Sequence, residues 1–146
     1  MARIKLTAPE KFNFTSIIPV RITDLNYGGH VGNDALLSII HEARLQFLNH
    51  HGYSEMDLGG VGMIMADVAI EFKQEAFYGD ILIASVKAHD FNRIGFDLFY
   101  RLEKEINGEK VLVALAKTGM ICYHYTTKKI SAIPSEVLEK LQESGS

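Results

Sequence analysis

The chain has 146 residues, 47% of them hydrophobic and 23% charged, enough for one packed core with the composition of a globular protein. Its formal charge of −3 excludes the basic footprint of a nucleic-acid binder, and no polybasic stretch suits an anionic membrane surface. One cysteine, Cys122, excludes a disulfide framework; with no bilayer-length apolar run and no secretion signal, a cytoplasmic protein without a membrane span is expected.

Residues 12–22 carry largely alternating apolar side chains (Phe12, Phe14, Ile17, Ile18, Val20, Ile22) and predict a first strand. Residues 34 to about 50 predict a helix with Leu36, Ile40, Ala43 and Phe47 on one face and Leu37, Arg44 and Leu48 beside it. Its first half is apolar on nearly every side, which predicts thorough burial. His50, His51 and Gly52 resemble a charged cap with a glycine stop. Residues 54–62 read as a loop, and Gly59-Gly60-Val61-Gly62 lacks the lysine and hydroxyl of a phosphate loop, so it reads as flexible. Four segments rich in β-branched and aromatic residues follow, at 64–72, 81–89, 94–104 and 111–125. Asn107-Gly108 joins the last two as a hairpin, and Gly79-Asp80 marks another reversal. Behind Pro134, residues 135–142 predict a short helix. This order predicts an α+β fold, a curved antiparallel sheet wrapped around one long central helix, as one domain over 1–146.

The chemistry concentrates in residues 24–34. There Asp24, Asn26, His30, Asn33, Asp34 and three glycines run straight into the long helix. A helix N-terminus presents unpaired N–H groups and partial positive charge, and glycines let a ligand approach the backbone. Such a loop can hold a developing oxyanion. An ordinary N-cap would explain Asn33 or Asp34 but not the whole density. His30 suits acid/base work or a hydrogen bond to a carbonyl, or it is a histidine satisfied by backbone. His41, His50 and His51 show no metal spacing with a third ligand, so neither metal nor cofactor is expected. Cys122 lies in an apolar strand and reads as a buried thiol.

These residues resemble the signature of the hotdog-fold acyl-CoA thioesterases of the 4-hydroxybenzoyl-CoA type. Asp24 matches the first acid, Gly29-His30-Val31 the central triplet, Asn33 the second asparagine, and Glu42-Ala43-Arg44 with Phe47-Leu48 the helix. The stretches 72–80 and 114–125, with Ile133-Pro134, are similar to later strands of the family, so the likeness runs from Ile18 to Leu141. The resemblance implies a hotdog fold, a homodimer or homotetramer, and an acyl-CoA bound between protomers. It implies Asp24, Asn26, His30 and Glu42 as the catalytic set and Tyr27, Gly28, Gly29, Val31, Gly32, Asn33 and Asp34 as substrate-binding residues.

Two positions depart from the pattern. Asn26 stands where one branch of the family has its catalytic acid, and an amide cannot serve as base or carboxylate nucleophile. Gly32 replaces the first asparagine. The carboxylate role therefore moves, with Asp24, Asp34 and Glu42 as candidates; we read Asn26 and His30 as positioning groups and Glu42 or Asp24 as the acid. Three functions follow: an acyl-CoA thioesterase, a non-catalytic acyl-thioester binder, and an enoyl-thioester hydratase or dehydratase.

Overall fold

A computed structural model describes residues 3–144. In chain order it contains β1 (Phe14–Pro19), a 3-10 turn (Ile22–Asp24), α1 (Asn33–His50), β2 (Gly62–Phe72), β3 (Ile81–His89), β4 (Gly95–Ile106), β5 (Glu109–His124), β6 (Lys129–Ile130) and α2 (Ser135–Ser144). The strands form one antiparallel sheet in the order β1-β3-β4-β5-β2, with β6 on the end of β5. This is the curved sheet around one helix that the sequence predicts. Asn107 (φ 53°) and Gly108 (φ 81°) take the left-handed pair that a two-residue hairpin needs, and they set Ile106 opposite Glu109.

The predicted face of α1 is the buried one: Leu36, Ile40, Ala43 and Phe47 share one core cluster with Phe96, Leu98, Tyr100 and Leu102 of β4 and Ala114, Ala116 and Met120 of β5. Burial is not all round. Leu37 and Leu45 remain 37% and 39% exposed. The first strand is also shorter than predicted, because the Asp24 carboxylate takes the Arg21 N–H at 2.8 Å and turns the chain into the 3-10 segment.

Arg44 does not point to solvent. Its Nε donates to Glu55 (3.0 Å) and its Nη1 to the Tyr100 hydroxyl (3.2 Å), which shares a 2.7 Å hydrogen bond with Thr118. His41 meets the other Glu55 oxygen at 2.7 Å. Burial alone would raise the Glu55 pKa, but the bonds from His41 and Arg44 outweigh it and hold the carboxyl below its usual range. The network ties the helix to the loop behind it and to the middle of the sheet.

The expected charged cap is half corrected. His51 is buried against Phe47 with His50 and Lys140 nearby, and burial first, then those two groups, push its pKa down. It is held neutral. The glycine-rich loop is packed rather than loose: Gly59 (φ 68°) leaves only 2.6 Å between a would-be Cβ and Val137 of α2, and the Leu58 N–H donates to Val61 at 2.6 Å. Cys122 is fully buried, and burial pushes its thiol up to about 11. On the outer face, residues 3–13 cross the sheet: the Leu6 N–H donates to Glu71 (2.9 Å), and Phe12 lies by Phe99 with the Arg101 guanidinium 4.5 Å above its ring. Among the described residues, no helix is long and apolar enough to cross a membrane.

Candidate active site

The loop before α1 is closed by a bridge between Leu25 and Val31. Inside it the Asn26 N–H donates to the His30 carbonyl (2.8 Å), the Gly29 N–H to the Asn26 carbonyl (3.0 Å) and the Gly28 N–H to Asn26 Oδ1 (2.8 Å). Asn26 thus spends its side-chain oxygen on an Asx turn, and its amide end lies beside Gly32. Gly29 sits at φ 82°, a conformation that a Cβ would strain.

Gly32 is the N-cap of α1 and offers no side chain. The Leu36 N–H is the first to join the helical ladder, on the Gly32 carbonyl at 2.9 Å. The amides of residues 33–35 therefore face outward at the positive end of the helix dipole. Asp34, expected at the cap or as the acid, stands in the first turn.

His30 and Asn33 open onto a groove of about 250 Å³ floored by Val31, Leu36, Phe72 and Val113 and rimmed by Gln74 and Glu75. His30 Nδ1 lies 3.1 Å from the Val31 carbonyl. A carbonyl only accepts, so Nδ1 holds the hydrogen and Nε2 turns to the groove. Nε2 lies 3.8 Å from Glu75 Oε1.

Two bonds fix this wall. The Val31 N–H donates to the Ala76 carbonyl (2.8 Å), and Lys104, nearly buried on the inner side of β4, donates to the Glu75 carbonyl (2.8 Å) and to Asp80 (2.9 Å). Burial would raise the Asp80 pKa, but the Phe77 N–H and Lys104 outweigh it and keep the carboxyl low.

The predicted residues thus divide. His30, Val31 and Asn33 line this groove. Asp24 and Glu42 line a second one of about 350 Å³ between β1 and α1, with Arg21, Ser38, His41 and Gln46. Asp24 is buried, and its carboxylate is engaged by the Arg21 N–H and guanidinium. Glu42 accepts from Gln46 at 2.7 Å rather than pairing with Arg44. It stands nine residues beyond Asn33, roughly 13 Å along the helix axis. Tyr27 projects into solvent beside Gly28 and Gly29. Glu75 carries no motif signal in the sequence; it stands between β2 and the Gly79-Asp80 turn. Among the described residues, the grouping that could approach a common cation is His89, Asp90 and Asp97, at the far end of β3 and β4.

Comparison with known proteins places this geometry. The model of the thioesterase-like superfamily matches residues 20–141. The chain is 28% identical over 126 residues to a putative esterase of Aquifex aeolicus, covering 85% of this chain and 94% of that one. It is 26% identical over 127 residues to the long-chain acyl-CoA thioesterase FadM of Escherichia coli, covering 86% and 95%. The crystal structure of a 1,4-dihydroxy-2-naphthoyl-CoA thioesterase from Synechocystis superposes with a TM-score of 0.78 at 21% identity, over 89% of this chain and 96% of that one. The architecture is the hotdog fold.

Proposed function

Because this chain belongs to the thioesterase-like superfamily, we propose that it hydrolyses the thioester of a fatty or aromatic acyl-CoA to the free acid and CoA. The observation that supports this reading is the groove itself. Its floor of Leu36, Phe72 and Val113 is apolar, as an acyl or aryl group requires, and its mouth opens beside the first turn of α1. A thioester carbonyl seated there would point its oxygen at the amides of residues 33–35. Charge develops on that oxygen during attack, and fixed N–H donors favour the transition state over the ground state. Asn26 shapes the loop and His30 faces the carbonyl; both position rather than attack.

The groove in one protomer is smaller than the ~300–1,000 Å³ usual for a small-molecule site. Phe72, in its floor, ends β2, an edge strand that exposes Met65, Val68 and Phe72 on its inner face. Such an edge invites a second copy. We propose a homodimer through β2, or a tetramer of such pairs, with the acyl-CoA between protomers.

Asn26 favours a second reading, a binder that holds acyl thioesters without turnover. The test is CoA release, followed with a thiol reagent, from short, medium, long and aromatic acyl-CoAs. Turnover of one class supports the hydrolase; saturable binding without release supports the binder. Loss of enoyl absorbance without CoA release would instead identify a hydratase.

A further inference from the structure

We infer that Glu75, paired with His30, supplies the carboxylate that activates the hydrolytic water in place of the missing acid at Asn26. The inference rests on the thioesterase reading and names the group that reading lacks. Asp24 is committed to Arg21, and Glu42 opens on the other groove. Among the described residues that line the acyl groove, Glu75 is the one carboxylate. Neighbouring Lys73 donates to Glu71 at 2.6 Å, and the Glu75 carboxylate lies beside the His30 imidazole.

The spacing is informative. Glu75 Oε1 and His30 Nε2 are 3.8 Å apart, too far for a direct hydrogen bond. In the neutral ring, with its one hydrogen on Nδ1, Nε2 is an acceptor, and so is the carboxylate. Two acceptors at this distance match one water that donates a hydrogen to each. That water's oxygen lone pair is then free to attack a carbonyl held at the start of α1. The backbone under Glu75 is fixed by Lys104 and by the Val31–Ala76 bond, so the carboxylate stays at the wall with only its own rotamers to settle.

The step balances. An O–H bond of water breaks and its proton passes to Glu75, while the oxygen bonds to the carbonyl carbon and the C=O π pair moves onto oxygen. Collapse restores the C=O bond and breaks C–S, and the thiolate takes the proton back from Glu75. One water and one thioester give one acid and one CoA thiol.

The test uses the acyl-CoA that the wild type turns over best. Glu75→Gln preserves shape at an exposed position; we expect kcat to fall about 10²–10⁴-fold with KM within about threefold. Glu75→Asp should recover part of the loss, and Glu75→Ala should regain turnover with added formate, which a structural role could not explain. Glu109→Gln, in the distant hairpin, should behave as wild type. A Glu75→Gln enzyme with kcat within about threefold of wild type overturns the inference but leaves the thioesterase reading intact. Loss of turnover in Glu42→Gln alone would assign the role to Glu42. A wild type that releases no CoA from the panel removes both readings.

Discussion

Arg44 should matter more to the fold than any exposed cation, and Arg44→Met measures this. The guanidinium is 6% exposed and joins Glu55 at 3.0 Å to the Tyr100 hydroxyl at 3.2 Å. Breaking one side of a buried ion pair costs about 3–5 kcal/mol, because the abandoned partner stays buried and charged. Here the cost is reduced, since Glu55 keeps His41 and its side chain is 25% exposed. The stranded Tyr100 hydroxyl adds less, because Thr118 still serves it. We expect about 2–3 kcal/mol, read as a lower urea midpoint at unchanged m-value. Tyr100→Phe should cost about 1–2 kcal/mol. The double variant should fall short of the sum, because the two changes remove a shared bond. An Arg44→Met protein within 1 kcal/mol of wild type would refute the argument, which assumes that the network is a net constraint and not an incidental contact.

Lys104→Met should destabilise by about 2–3 kcal/mol, since Asp80 and the Glu75 carbonyl lose their donor, and should lower turnover by releasing the groove wall; unchanged thermal and kinetic behaviour would count against the clamp. The His51 pKa is depressed in the fold, so the unfolded chain binds the extra proton first. Its contribution is complete above the ordinary histidine value of about 6.5 and is lost as pH falls through the lower folded value; His51→Phe should flatten the decline of the urea midpoint below pH 6.5, and an equal slope in both proteins would contradict this. Cys122, with its thiol pushed up to about 11, should not react with a thiol reagent at pH 8 until urea unfolds the chain. Labelling of the native protein at the unfolded rate would show that the strand opens.

The hairpin at Asn107-Gly108 and the buried face of α1 were legible because each depends on neighbours one turn or two residues away. The loop at residues 24–34 stood out by its chemistry, and His30 and Asn33 do line a groove. What the sequence could not show was which acid shares it. Asp24 and Asp34 are close to His30 in the chain, yet Asp24 faces the other flank of α1. Glu75 reaches His30 only because the Val31 N–H finds the Ala76 carbonyl, a pairing between segments separated by a helix and a strand. Arg44 was similarly opaque: helical spacing placed it beside the core, but only the meeting of α1 with β4 and β5 supplies Tyr100 and Thr118. Local periodicity says which side of a helix is dry; it does not say what stands opposite.

The N-terminal crossing has a consequence for the order in which the molecule can be put together. Phe99 and Leu115 lie on the outer side of the sheet, 3% and 7% exposed, and Phe12 covers the former. The anchor points of residues 3–13 sit on β2 and β4, so this segment has nothing to dock on until distant strands are in register. Residues 3–13 precede those strands in the chain yet are among the last to find their place. A protein shortened to begin near Asn13 would keep its groove and its helix yet bare an aromatic patch in the middle of the sheet. Its fault would be stickiness rather than loss of chemistry.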